Sequence, residues 1–303
     1  MDIVVFGAGS LGSLVGGLLA REHEVTLVGR DPHVATVRED GLVVEGACEA
    51  SLRPAATTDG TGLAADVALV SVKAFDTEAA AAALATGTYG AVCSLQNGLG
   101  NEETLAAALD APVLAGTATY GAKLGEPGVV ECTGVGELVV GPLPGVTGGD
   151  GEAWAERLVD ACRSAGLAAT VDADMARRRW AKLAINAGIN PVTALVRAEN
   201  GVVLEDPASE LATAATREAV AVARAEGIEL AAGATVERMR EVATATAANR
   251  SSMLQDVDAG RRTEIDAILG AVLERAAAAG TEVPTTRVLY GLVAAWEAER
   301  GLR

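Results

Sequence analysis

Short, uniformly apolar runs alternate with alanine-rich helical stretches through the first half of the chain. Residues 2–7, DIVVFG, predict a strand, and the GAGSLGSLVGGLLARE that follows predicts a glycine turn opening a helix. Further strands are expected at 24–30 (EVTLVGR), 66–73 (DVALVSVK), 90–98 (GAVCSLQNG) and 111–121 (APVLAGTATYG), with helices around 76–86 and 101–109. Strands that are apolar throughout are covered on both faces, which predicts a parallel sheet in an α/β layer architecture. GVVECTGVGELVVGP at 128–142 reads as an antiparallel hairpin, and GVTGGDG at 145–151 as a flexible loop.

After about residue 172 the pattern changes. Residues 173–188, 206–227, 233–256 and 262–280 all read as helices. Asp206-Pro207 is a helix start, Gly227 and Gly280 are stops, and Pro191 is expected to end the first of these helices near Asn190. The chain therefore divides into an α/β domain over 1–172 and an all-α domain over 173–303.

Composition narrows the class. The chain is 303 residues long and 50% hydrophobic, enough for two domains with real cores. Its apolar runs are too short to span a bilayer, and no basic leader precedes the first strand, so a cytoplasmic protein without a membrane partner is expected. A net charge of −17 argues against nucleic acid, which wants a basic surface. It fits either an acidic, salt-adapted proteome or plain solubility, and a GC-rich genome would also favour arginine over lysine. Cys48, Cys93, Cys132 and Cys162 are scattered without metal-ligand spacing, so reduced thiols and no metal site are expected.

The GAGSLG turn carries the first chemistry. A lone GxGxxG says little, but here it follows a strand and opens a helix at the head of an alternating α/β pattern. Gly7 permits the tight turn, Gly9 lets backbone approach a pyrophosphate, and Gly12 lets the helix pack on the strand. Ala8, Ser10 and Leu11 complete a loop whose helix N-terminus faces negative charge. This predicts a Rossmann-type dinucleotide-binding domain. An NAD site usually has an acid at the end of the second strand; here LVGR places Arg30 there, which suits the 2′-phosphate of NADP, with NAD left possible. Asp31 beside it also reads as a helix cap, and a solvated Arg30 is the plain alternative. Lys73 in SVKAF and Asn97 in SLQNG stand at the C-terminal ends of the next strands, at the edge where such sheets bind ligands, although Asn-Gly is also a common turn.

Only three of the 24 basic residues are lysines: Lys73, Lys123 and Lys182. Lys182 sits in RRRWAKLAINAGINPVTAL, and Asn186 and Asn190 follow at four-residue steps, on one helical stripe. A buried lysine is costly unless paired or used. Carbonyl reduction needs a proton as well as a hydride, and neither His23 nor His33 is placed to give one, which leaves Lys182 as the general-acid candidate. A stripe facing solvent is the alternative.

GAGSLG, VSVKAF, LQNGLG, GVVECTGVGELVVG, RWAKLAINAGINPVTA and SSMLQDVDAGRRTEID together resemble the ketopantoate reductase family, nearly end to end. Its members reduce ketopantoate to pantoate on the route to pantothenate and coenzyme A. The resemblance implies that Lys182 is the general acid and that Asn186, Asn190 and Asn200 contact substrate. It implies that Ser252 binds the substrate carboxylate with Asn249 nearby, and that Glu264 contacts the substrate hydroxyl and the nicotinamide end. Asn97 would bridge cofactor and substrate, Ala122 would touch the cofactor through its backbone, and Arg30 and Lys73 would meet the 2′-phosphate. Cys132 stands where many relatives have histidine, and Phe75 where tryptophan is frequent. A homodimer is expected. The same motifs occur in reductases of other 2-oxo acids, and a non-catalytic nicotinamide-binding sensor is the reading from a different class.

Overall fold

A computed structural model describes residues 1–303 as two compact units. The first comprises Met1–Gln96 and Asn101–Met175; the second comprises Asn97–Gly100 and Ala176–Arg303. Continuous helix, not an extended linker, carries the chain from Met175 onward, three residues past the division expected from composition.

The first unit begins β1 (Asp2–Phe6), α1 (Ser10–Leu19), β2 (Glu24–Val28), α2 (His33–Asp40), β3 (Leu42–Gly46), β4 (Ala50–Leu52), β5 (Ala55–Thr57) and β6 (Ala64–Val70). It continues with α3 (Thr77–Leu84), β7 (Thr88–Ser94), α4 (Asn101–Ala108), β8 (Val113–Ala118), β9 (Gly121–Leu124), β10 (Val129–Gly134), β11 (Leu138–Gly141), α5 (Gly151–Ser164) and β12 (Ala169–Val171). Eight strands form one sheet in the order β12-β11-β8-β7-β6-β1-β2-β5. From β8 to β5 all neighbours are parallel; β11 runs antiparallel to β8. The apolar-throughout strands are explained by this geometry. Ile3 and Val5 enter one core and Val4 and Phe6 the other, because successive side chains leave opposite faces of a strand.

The expected hairpin at 128–142 does not form. β10 joins a separate four-stranded sheet, β4-β3-β10-β9, while β11 joins the large one. Burial gives the reason. β10 alternates buried and exposed positions and needs one covered face, whereas β11 is buried at every position and needs two. The strands β6 and β7 also stop at Val70 and Ser94, short of the expected 73 and 98. Helix α5 adds an element directly after the 145–151 loop, where the apolar pattern predicts none.

The second unit contains α6 (Met175–Val196), α7 (Ala208–Ala225), α8 (Ala232–Ala245), α9 (Ser252–Asp258), α10 (Ala271–Ala279) and α11 (Pro284–Glu299). Helix α11 is not expected from the sequence pattern, and the helix expected over 262–280 opens late, as a π turn at Asp266–Gly270 before α10; two further departures shape this unit. First, α6 runs through Pro191 instead of ending before it. An interior proline costs about 3 kcal/mol, yet Ala187, Ile189, Val192 and Ala194 on both sides of it are buried in the unit's core. Second, 233–256 is not one helix. It breaks between Ala245 and Ser252, where Ser251 caps α9 by accepting from the Leu254 N–H at 3.1 Å. The same hydroxyl lies 2.7 Å from Thr193 Oγ1 on α6.

Because Ser251 satisfies both a helix N-terminus and a buried hydroxyl, Ser251→Ala should lower the unfolding free energy by about 1–2 kcal/mol in urea titrations. Ser252→Ala, at the exposed next position, should change it by less than about 0.5 kcal/mol.

Candidate active site

In the first unit, the ends of β6, β1 and β2 lie side by side. Gly7 follows β1 with φ +108, and a Cβ there would stand 2.6 Å from the backbone nitrogen of Val72. Only glycine fits that turn. A Cβ on Gly12 would collide with the Gly7 carbonyl oxygen, so helix α1 packs at backbone distance. Gly9 differs: nothing lies within 4 Å of where its Cβ would be, and as the N-cap of α1 it offers no side-chain hydrogen bond. An open, uncapped helix N-terminus is a cradle for a phosphate. The Ser10 hydroxyl accepts from the Leu124 N–H at 3.0 Å, which ties β9, and with it Ala122, to this loop.

Arg30 lies two residues beyond β2, with a side chain 84% exposed, and its guanidinium pairs with Asp76 at 2.8 Å. Asp31 is committed elsewhere: its carboxylate accepts from the Ala35 N–H, in the first turn of α2, at 3.1 Å. Lys73 precedes the short 3-10 turn Ala74–Asp76 at the end of β6, half-buried. His33 is structural. It accepts from the Gly128 N–H and its other ring nitrogen meets the Ser13 hydroxyl at 3.0 Å, while burial lowers its pKa. With Nδ1 accepting, the proton sits on Nε2. His23 hydrogen-bonds the Ala161 carbonyl at 2.8 Å. Neither histidine is available for proton transfer. Cys132 Sγ on β10 donates to Sγ of Cys48, in the turn between β3 and β4, at 2.7 Å, and all four cysteines are thiols.

In the second unit, α6 places Lys182, Asn186 and Asn190 at successive four-residue steps on one stripe. Asn190 is 5% exposed and Asn186 half-buried. Lys182 as a residue is half-buried. Burial pushes its pKa down to about 8, against the Glu264 carboxylate, which holds it up. Glu264 itself is 7% exposed and accepts from Asn97 Nδ2 at 3.2 Å. The backbone of Asn97–Gly100 fits tightly here: the Leu99 N–H donates to the Ala267 carbonyl, and a Cβ on Gly98 would collide with that same oxygen. The second unit thus brings together Lys182, Glu264 and Asn97, which are far apart in sequence.

Three further candidates separate by burial. Asn200 is 8% exposed and turned inward, its amide nitrogen donating to Thr246 Oγ1 at 3.0 Å. Asn249 and Ser252 are exposed, and the Asn249 carbonyl accepts from the Asn200 N–H. Ser251, which the sequence places in the same polar cluster without a site role, is the buried cap and leaves Ser252 free of that duty. The capping-box spacing in SSMLQD, Ser-x-x-Gln, would select Ser252 with Gln255, so the sequence signal points one residue past the serine that caps.

An open parallel sheet with a glycine cradle at the end of its first strand, joined to a helical unit with a buried lysine–carboxylate pair, defines a dinucleotide-binding oxidoreductase. The chain belongs to the ketopantoate reductase family: the model "Ketopantoate reductase PanE/ApbA" matches residues 3–145 and "Ketopantoate reductase PanE/ApbA C terminal" residues 174–297. It is 44% identical to the 2-dehydropantoate 2-reductase of Halobacterium salinarum over 97% of this chain and 98% of the relative. It is 41% identical to that of Archaeoglobus fulgidus, over 96% of each. Among solved structures it resembles the PanE/ApbA family ketopantoate reductase of Ralstonia eutropha, with a TM-score of 0.89 and 31% identity over 99% and 100% of the chains. It also resembles a D-mandelate dehydrogenase in complex with NADH, with a TM-score of 0.88 and 25% identity over 99% of each.

Since Glu264 holds the lysine's pKa up, Glu264→Gln should move the Lys182 titration below pH 8. NMR of the isotope-labelled ammonium in the two proteins would register the acidward displacement.

Proposed function

We propose that this chain reduces ketopantoate to pantoate with NADPH, and that the buried Lys182–Glu264 pair is the observation that carries this reading. NADPH, when bound, supplies the hydride that C2 of the oxo acid receives. The residues present fit it: the open cradle at Gly9 suits the pyrophosphate, and Arg30 and Lys73, flanking the end of β1, suit the 2′-phosphate.

Lys182 does the proton chemistry. Its ammonium donates a hydrogen bond to the C2 carbonyl oxygen and polarises it. As negative charge develops on that oxygen, Nζ transfers its proton, which leaves pantoate and a neutral amine. A fixed ammonium in a water-poor site stabilises the developing alkoxide far better than water does. A pKa of about 8 keeps the lysine protonated at neutral pH while making the proton easy to release. Glu264 supports the charged form and orients the substrate hydroxyl. Asn97 anchors Glu264, Asn186 and Asn190 extend the polar stripe along the substrate, and Ser252 with Asn249 receives the carboxylate. Asn200 supports that segment from within.

The substrate is a small 2-oxo acid, and no helix is long and apolar enough to cross a membrane. A homodimer is supported by apolar side chains left exposed on the second unit: Val288 and Leu292, one turn apart on α11, and Leu211 on α7. Four thiols and an acidic surface suit a reducing, cytoplasmic setting.

The deciding experiment follows loss of NADPH absorbance with ketopantoate at low and high KCl, then with NADH and with other 2-oxo acids, phenylglyoxylate included. Preferred turnover of another acid would replace the substrate; cofactor binding without any turnover would make the chain a sensor. Lys182→Ala should lower kcat by about 10²–10⁴-fold with the fold intact. For the intact enzyme, reduction should fall as pH rises through about 8, because the acid form of Lys182 is lost there, and oxidation of pantoate should rise over the same range. Arg30→Ala should raise KM for NADPH by about 10-fold or more and leave that for NADH nearly unchanged, as loss of one charge-assisted hydrogen bond predicts.

A further inference from the structure

Glu297 on α11 is a fully buried carboxylate, 0% exposed, that takes no part in the proposed proton chemistry. Burying a charge is costly, and an apolar side chain of similar size would be cheaper there. What it holds is informative. Its Oε1 accepts from both the backbone N–H and the hydroxyl of Thr263, at 2.7 and 2.6 Å. The Thr263 hydroxyl in turn accepts from the Ile265 N–H at 3.2 Å. Residues 263 and 265 are therefore pinned on either side of Glu264. On the far side of Glu297, Oε2 accepts from Arg303 at 2.8 Å.

The chain immediately after Glu264 is also constrained. Asp266–Gly270 forms a single wide π turn, a costly geometry found mostly where function requires it. Asp266 at its head accepts from Arg303 at 2.7 Å, from the Tyr290 hydroxyl at 2.9 Å and from Arg262 at 3.1 Å. Arg303 thus bridges Glu297 and Asp266, and the two carboxylates grip the segment before and after Glu264.

We propose that Glu297 is a positioning residue for the reaction: acting through Thr263, and braced by Arg303, it holds the Glu264 carboxylate where it faces Asn97 and acts on Lys182. Glu297 touches neither substrate nor cofactor in this arrangement. The inference rests on the proposed role of the Lys182–Glu264 pair.

The test uses Thr263→Val, which removes the hydroxyl at nearly constant shape, Thr263→Ser, which restores it, and Glu297→Gln, which keeps an acceptor for Thr263 but weakens the brace to Arg303. For each, kcat, the KM values, the pH dependence of kcat and the thermal midpoint are measured. Thr263→Val should lose about tenfold in kcat, the equivalent of one hydrogen bond of about 1.4 kcal/mol, with KM for NADPH unchanged. Its alkaline limb should move to lower pH, because a displaced Glu264 no longer raises the pKa of the Lys182 ammonium. Thr263→Ser should return both to normal, and Glu297→Gln should move the limb in the same direction by less. A purely structural role would lower the thermal midpoint and leave the limb in place. That result, in Thr263→Val or, should it not fold, in Glu297→Gln, overturns the inference. Lys182→Ala separates the two levels: if it retains turnover the underlying reading fails, whereas if it is inactive and the limb is unmoved in the variants, only the positioning role fails.

Discussion

A lysine ammonium that burial strips of water is expensive to keep charged, and the second unit is organised around meeting that cost. Burial alone drives Lys182 toward the neutral amine; the Glu264 carboxylate opposes it and leaves the pKa at about 8. That balance holds only if the carboxylate stays in place. Glu264 is itself buried, so it needs donors of its own, and Asn97 supplies one. Requirements therefore propagate outward from one charge: a carboxylate to support it, an amide to satisfy the carboxylate, and a backbone rigid enough to fix both.

The rigidity comes from features that look irregular in isolation. The wide π turn at Asp266–Gly270 and the proline carried inside α6 each cost free energy locally, and the loop Asn97–Gly100 is seated where only glycine fits against Ala267. Each is surrounded by compensating contacts. The flanks of Pro191 are buried, Thr193 is hydrogen-bonded to Ser251, and Asp266 is held by two arginines and a tyrosine. The first unit is simpler. Its demands are steric, a turn only glycine can make and a helix packed at backbone distance, and they leave an uncapped helix end open beside Arg30.

Much of this was legible in the residues. GAGSLG after an apolar run, and a lysine followed by asparagines at helical spacing, state their chemistry because local geometry converts spacing directly into a face or a turn. Strand ends, the fate of 128–142 and the length of α6 were not legible. Each depends on how many faces of an element are covered, and that is a property of its neighbours. Cys132 illustrates the point: nothing in its surroundings along the chain indicates that its thiol meets Cys48, 84 residues away.

The sequence by itself determined the α/β and all-helical halves, the glycine cradle, and the stripe of Lys182, Asn186 and Asn190, because these follow from period and residue type within one element. Only the tertiary structure decided that Ser251 is the cap and Ser252 the exposed neighbour, that Asn200 turns toward Thr246, and that Glu264 is gripped through Thr263 by Glu297. These are choices between chemically equal side chains, or contacts across tens of residues. They are settled by which group packing leaves in water and which it forces to find a partner inside.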